Sequence, residues 1–188
     1  LNKFSFNFSA VAKDNNNPSQ TPTALNFGTD IKNYFYSGSV EWAPMDKVQV
    51  SSGYTYHHLT ADTPIIVSVD GVSRLGFSQF FMRDHYGYLD ISAKPIKRLS
   101  LYGSLRINRD KGQENRFSTL PEIIYGGYPM NMLTPEFRAA IRLTRNVDWN
   151  IGYQYYNYQD SQTPSQNYRA HLPYTSLKIY FGGGAADR

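Results

Sequence analysis

The sequence predicts an all-β, antiparallel up-and-down fold, because apolar and polar residues alternate along about eight separate stretches of the chain. Successive side chains of a strand point to opposite faces, so each stretch is predicted to be a strand with one apolar and one polar face. The first stretch shows the pattern, with Phe4, Phe6, Phe8, Ala10 and Ala12 alternating with Lys3, Ser5, Asn7 and Ser9. The connections also alternate: they are long after odd-numbered strands and short after even-numbered ones.

The second, third and fourth strands follow from the same alternation. They are predicted to cover about residues 32–42, 47–59 and 80–93. Segments 43–46 and 94–97 are predicted to be compact turns, since each contains a proline, which fixes its own φ angle. The connection 60–77 is predicted to be a long loop.

The last four strands are predicted to cover about residues 98–108, 136–144, 147–158 and 168–181. The connection 109–135 is the longest, and its segment Ile123–Pro129 is expected to fold inward or cap one end of the sheet. A short turn is predicted at Arg145–Asp148. We expect one domain over residues 1–181 and a loosely held tail over 182–188.

The composition narrows the classes of protein. The chain has 188 residues, a length that fits one closed barrel of about eight strands. It has no cysteine, which excludes disulfides, a thiol nucleophile and cysteine-ligated metal sites, and its net charge of +4 says little about nucleic acid. Sixteen tyrosines stand against two tryptophans, and tyrosine collects where a surface passes from apolar to aqueous surroundings.

Two further features of the sequence bear on membrane insertion. No segment reaches the roughly 18 consecutive apolar residues that a spanning helix needs. The chain starts inside a strand with no secretory leader, so we expect either a leader that has been removed or a piece of a longer protein.

The two predicted faces differ in charge, and this difference indicates their surroundings. The apolar face is predicted to meet lipid through Phe4, Phe6, Phe8, Leu99, Leu101, Leu105, Ile141 and Ile151. The polar face is predicted to line a lumen with a basic wall formed by Arg98, Arg106, Arg138, Arg142 and Lys178. Such a face is too charged for a small packed core. The apolar face must therefore meet a second sheet or lipid, and short turns gathered at one end favour a transmembrane β-barrel.

The closing segments resemble the last hairpin of a bacterial outer-membrane β-barrel. They are Trp149–Tyr156 and Tyr174–Phe181, in which alternating apolar residues end on an aromatic one. The resemblance implies a bacterial outer-membrane location, and it assigns Leu177, Ile179 and Phe181 to the strand that the barrel-assembly machinery reads. Members of the family usually stop at the aromatic residue, whereas this chain continues through Gly182–Arg188. The pattern of alternating residues is also similar to that in the C-terminal part of large porins, transporters and conduit barrels.

This resemblance implies a porin-like channel, or the barrel component of a transport or conduit complex. The expected partners are outer-membrane lipid, the barrel-assembly machinery and other envelope proteins, with no nucleic acid. The alternative is a closed structural or adhesion barrel whose extracellular loops bind partners. In that case the basic wall would pair with carboxylates such as Glu41, Glu136, Asp90 and Asp148 and fill the interior. The residues leave both alternatives open.

A barrel enzyme is a third, weaker interpretation. His57 and His58 are neighbours on one strand and so point to opposite faces, which keeps them from sharing a metal ion. The same holds for Asp84 and His85 as a catalytic pair. The sequence has no Gly-x-Ser-x-Gly segment. We therefore assign no catalytic, cofactor-binding or metal-binding residue and expect no cofactor.

Overall fold

The computed structural model describes residues 3–17, 28–112, 129–161 and 163–181, and it is a single antiparallel sheet. The strands are β1 (Lys3–Asn17), β2 (Thr29–Met45), β3 (Val48–Val69), β4 (Val72–Ile96), β5 (Leu99–Asp110), β6 (Met130–Thr144), β7 (Val147–Asp160) and β8 (Tyr168–Ile179). A 3₁₀ turn, Pro164–Gln166, precedes β8. Each strand pairs with the next one along the chain, so the predicted all-β, up-and-down architecture is confirmed.

The sheet is open. Its order runs from β1 to β8 without a pairing between these two strands, so the described residues do not form the closed barrel that the sequence predicts. The outer edges of β1 and β8 carry backbone N–H and C=O groups with no strand partner among the described residues.

The three short turns lie at the same end of the sheet, at residues 46–47, 97–98 and 145–146. Beside each turn the strand register shifts, between Trp42 and Met45, between Ala93 and Ile96, and between Arg142 and Thr144. Pro44 and Pro95 lie inside the first two shifts, where a residue without an N–H group breaks no ladder hydrogen bond. The strands therefore continue past these prolines, and the first two turns come later than predicted.

The predicted loop at 60–77 is wrong, because β3 and β4 continue through it as a hairpin. Their pairing runs without interruption to Val69 opposite Val72. Asp70 and Gly71 form the two-residue turn with φ angles of 52° and 77°, both positive as a type I′ turn requires. Among the described residues, 63–69 and 72–78 pair only with each other, so this hairpin projects beyond the rest of the described sheet.

Two further long connections, predicted at 14–31 and 109–135, are shorter than predicted. Strands β1 and β2 extend into the first of them, and β5 and β6 extend into the second. Residues 18–27, 113–128 and 182–188 lie outside the described residues, and so do most of the segment expected to fold inward and the expected tail.

Burial on the two faces is the reverse of that in a soluble sheet. The polar face contains Ser104, Thr134 and Gly152, which are all buried near the centre of the sheet. The apolar face contains Phe6, Phe137 and Leu177, which are 62%, 54% and 62% exposed. No large apolar side chain among the described residues is buried. The described sheet thus shelters its polar side and presents its apolar side outward.

Candidate functional site on the polar face

The polar face of β4 and β5 holds an interacting cluster of charged and hydroxyl groups. Asp90 accepts a hydrogen bond from the Tyr102 hydroxyl at 3.1 Å. The same carboxylate lies 3.8 Å from Arg106, and Arg106 also donates to Ser104 Oγ at 2.9 Å. These side chains come together because they alternate onto one face of adjacent antiparallel strands. The predicted lumen residue Arg106 therefore has a carboxylate partner.

A second cluster lies close to the turn end of the sheet. Arg142 Nε donates to Asp148 Oδ1 at 3.4 Å, and the Tyr180 hydroxyl donates to Asp148 Oδ2 at 3.0 Å. The Lys178 ammonium lies 4.9 Å from the centre of the Tyr180 ring, within cation–π range. Asp148 thus contacts Arg142 directly and is linked to Lys178 through Tyr180.

A third cluster spans three strands at the centre of the face. The Tyr174 hydroxyl on β8 donates to Glu136 Oε1 on β6 at 2.8 Å. The ring crosses β7 at Gly152, its directly opposite neighbour, and a Cβ atom there would overlap the ring. Arg138 lies 5.0 Å from the centre of the Tyr102 ring and so joins this cluster to the first one. The glycine is required here because only a residue without a side chain leaves room for the crossing tyrosine.

A matching crossing occurs on β3 and β4. Tyr88 lies directly opposite Gly53, and its ring occupies the space that a Cβ atom of Gly53 would fill. Tyrosines that cover glycines across a strand pair stabilise positions that would otherwise be weak points of a sheet.

The five residues of the predicted basic wall do not share one environment. Arg106, Arg138, Arg142 and Lys178 lie on the polar face and each contacts an acid or a tyrosine ring. Arg98 is exposed at a turn and has no ion pair among the described residues. The alternation in the sequence predicts the charges on this face, but it does not predict the contacts that the tyrosines at 102, 174 and 180 make between them. The available signal was that these tyrosines alternate onto the same face as the charges.

The polar face also carries acids, three of which are predicted from the sequence as possible partners of the basic residues. On β4 to β8, every Asp and Glu lies on the polar face: Asp84, Asp90, Asp110, Glu136, Asp148 and Asp160. Asp84, Asp110 and Asp160 lie toward the loop end, whereas the arginines and Lys178 lie toward the centre and the turn end. The polar face is therefore mixed in charge and graded from one end to the other.

The residues predicted to face lipid share the opposite face. The register places Leu99 opposite Ile141, and Leu101 in the row that contains Ile151. Phe4, Phe6 and Phe8 are 66%, 62% and 68% exposed, and Leu105 lies on the same face. Leu177 and Ile179 belong to β8, and Phe181 follows this strand with 91% of its surface exposed.

The histidines and Asp84 occupy both faces at the loop end. His57 Nε2 lies 2.9 Å from Asn33 Oδ1 on the polar face, whereas His58 packs edge-on to Tyr34 on the apolar face. Asp84 lies directly opposite both His57 and Asp110, a juxtaposition that sequence reasoning missed. Burial and the nearby Asp110 carboxylate raise the pKa of Asp84 above its ordinary value, with His57 and His85 opposing the shift. Among the described residues, no three His, Asp or Glu side chains are grouped as a metal site would need.

Comparison with known proteins identifies no relative. No protein-family model, curated protein or solved structure matches the chain. The structural finding is an eight-stranded antiparallel sheet, which is compatible with a β-barrel. Within the described ranges, no helix is long and apolar enough to cross a membrane.

Proposed function

We propose that the chain forms the wall of a transmembrane β-barrel in the bacterial outer membrane. The observation that carries this proposal is the inverted burial, with a sheltered polar face and outward-facing Phe6, Phe137 and Leu177. In water this arrangement would leave a broad apolar surface exposed, which costs free energy in proportion to its area. In a membrane the same surface would contact lipid, and the polar side would face an aqueous or filled interior.

The positions of the short turns support this proposal. One row of directly opposite residues crosses six strands: Trp42, Val50, Ile91, Gly103, Phe137 and Tyr153. For each short turn, we averaged the number of residues between the turn and this row over the two strands of the hairpin. The average is about four for the turn at 46–47, about six for 97–98 and about eight for 145–146. Each turn is thus displaced by about two residues from the one before it.

This displacement gives a strand tilt. Two residues extend about 7 Å along a strand, and two strands occupy about 10 Å of sheet width. If all three turns lie in one plane, the strands are inclined by about 35° to the perpendicular of that plane. Transmembrane barrels have strand tilts of about 35–45°. The register therefore favours three turns at one membrane surface, which we assign to the periplasmic side.

Within this barrel the polar face is proposed to line a porin-like channel, or the interior of the barrel component of a transport or conduit complex. The two unpaired edges leave room for further strands between β1 and β8. Eight strands alone would enclose an interior just wide enough for side chains, whereas about sixteen would enclose an aqueous channel. Outer-membrane lipid and the barrel-assembly machinery are the proposed partners, the latter through Leu177, Ile179 and Phe181.

A closed structural or adhesion barrel is the second candidate. It is favoured by the contacts that cross the polar face, above all the hydrogen bond from Tyr174 to Glu136 and the ion pair of Arg106 with Asp90. Such contacts would fill the interior of a barrel of eight strands. In that case the projecting hairpin and the other loops would carry the binding function.

Reconstitution tests the proposal and separates the two candidates. The protein is purified in detergent, inserted into lipid vesicles and recorded in planar bilayers. We expect it to require detergent or lipid and to give stepwise conductance. Insertion without conductance would favour the closed barrel, and a monomer that stays soluble without detergent would refute the membrane proposal.

A further inference from the structure

The same constellation of side chains occurs twice in the sheet, in the pairs β3–β4 and β7–β8. One strand carries Gly-Tyr-x-Tyr, at Gly53–Tyr56 and again at Gly152–Tyr155. The next strand carries Arg-x-His-x-x-Tyr, at Arg83–Tyr88 and again at Arg169–Tyr174. In both pairs the final tyrosine covers the glycine on the polar face, and the other four named residues lie on the apolar face.

The geometry of the two clusters is nearly identical. The Tyr54 hydroxyl lies 2.6 Å from His85 Nδ1, and the Tyr153 hydroxyl lies 2.6 Å from His171 Nδ1. The ring centre of His85 lies 5.0 Å from that of Tyr56. The corresponding distance from His171 to Tyr155 is 4.9 Å. Each histidine is therefore fixed by one hydroxyl and packed against a second ring.

This contact determines what each histidine presents to its surroundings. When the tyrosine hydroxyl donates to Nδ1, a neutral imidazole carries its proton on Nε2, which then acts as a donor. Arg83 and Arg169 lie two residues before the histidines on the same face, and both are exposed. Neither arginine has an ion pair among the described residues. Each cluster thus offers a guanidinium and an imidazole N–H without a carboxylate partner.

The surrounding face strengthens the positive character of the clusters. The apolar face of β4 to β8 contains no Asp or Glu, because the acids of these strands all lie on the polar face. Arg109 lies directly opposite His85. Arg109 is exposed and adds a further positive charge beside the first cluster.

We propose that each cluster binds the phosphate group of an anionic membrane lipid at the loop-side border of the apolar face. This inference rests on the proposed function, which places the face in lipid. The arginine and the histidine donate hydrogen bonds to phosphate oxygens, since charge-assisted bonds from arginine suit phosphate. The tyrosine rings lie at the border between acyl chains and headgroups, a level that tyrosine prefers. A basic pocket on the lipid-facing side of a membrane protein is a known kind of headgroup site.

Native mass spectrometry of the detergent-solubilised protein tests this proposal. With phosphatidylglycerol added, we expect two retained lipids per chain, and with phosphatidylcholine none at the same concentration. Arg83→Gln combined with His85→Gln should remove one of the two lipids, and Arg169→Gln combined with His171→Gln should remove the other. Each pair should weaken the affinity of its own site about tenfold or more. These positions are at the surface of the apolar face, so the variants should fold.

A matched control removes charge at the other end of the sheet. Lys97→Gln combined with Arg145→Gln takes away two exposed basic residues near the turns. This variant should keep both lipids. Equal loss of lipid from the control and the cluster variants would overturn the proposal in favour of general electrostatic attraction.

Two further measurements complete the test. Displacement of phosphatidylglycerol by equimolar inorganic phosphate would overturn the assignment to lipid. Insertion into vesicles is measured on the same preparation. Failure to insert would refute the proposed function. Insertion with equal retention of phosphatidylglycerol and phosphatidylcholine would refute only the lipid-phosphate sites.

Discussion

Tyr174 on β8 donates a hydrogen bond to Glu136 on β6, two strands away, across a distance of 2.8 Å. The bond exists because Gly152 on the intervening strand leaves space for the tyrosine ring. The hydrogen bond between Tyr174 and Glu136 therefore depends on Gly152, although this glycine contributes no side-chain atom to it. Three strands are tied at their centre by one side chain.

Replacement of Gly152 tests this relationship. Gly152→Ala should lower the free energy of unfolding by about 1–3 kcal/mol, because the new methyl group displaces the ring and breaks a hydrogen bond to a charged acceptor. The measurement is urea unfolding of the protein in lipid vesicles. Gly103→Ala is the control, since no atom of the described residues lies within 4 Å of the added Cβ atom. A similar loss of stability in both variants would contradict the proposed role of the tyrosine crossing.

Two neighbouring positions test which face meets lipid. Ile151 lies on the apolar face, and Ile151→Arg should cost about 2–4 kcal/mol by placing a charge in the hydrocarbon. Asn150 lies on the polar face opposite Ala140 and Ser176, whose small side chains leave space for a longer one. Asn150→Arg should therefore be tolerated far better in the same unfolding assay. Equal costs would show that the faces are wrongly assigned.

Asp84 predicts a pH dependence of stability. Its pKa is raised above 3.8 in the folded protein, because burial and Asp110 disfavour the carboxylate. The folded state therefore holds this proton more tightly than the unfolded state. Stability should fall as pH rises from about 3.8 through the folded pKa, and the loss should persist above it. Unfolding curves between pH 4 and pH 8 should show a smaller decline for Asp84→Asn, whereas the exposed turn variant Asp46→Asn should retain the wild-type decline.

The four arginines of the predicted basic wall predict two different outcomes if the complete barrel conducts. Arg98→Gln with Arg138→Gln should shift the reversal potential toward cations, most visibly at low salt, with little change in stability. Arg106→Gln with Arg142→Gln should produce a similar shift and also lower stability, because Asp90 and Asp148 lose their partners. Planar-bilayer recordings and unfolding curves measure the two effects. If neither pair of substitutions changes the reversal potential of a measured channel, ions do not pass along this face.

The orientation of the sheet can be read with introduced cysteines, since the chain has none of its own. Asp70→Cys, at the exposed tip of the projecting hairpin, should react with an impermeant maleimide on intact cells. Asn146→Cys, in the third short turn, should react only after the outer membrane is opened. The reverse pattern of labelling would invert the proposed topology.

The period-two alternation was enough to predict the strands and to place Phe4 and Leu101 on one face and Arg106 on the other. It did not predict the hairpin at Asp70 and Gly71, although Asp-Gly is a dipeptide that a two-residue type I′ turn favours. The contact between Tyr174 and Glu136 could not be predicted, because the alternation carries no information about the register of strands that are two apart. Closure of the sheet into a barrel could not be predicted either, since β1 and β8 show the same alternation whether or not they pair.

The nearest-neighbour order of the strands has a consequence for how this protein is made and how it changes. Every described strand pairs only with the strands before and after it in the chain, so each hairpin can close without waiting for distant segments. Assembly can then proceed hairpin by hairpin, with the growing edge as the template for the next strand. The same modularity makes a hairpin the natural unit of duplication, and the recurrence of one constellation in β3–β4 and β7–β8 is the pattern that such a history would leave.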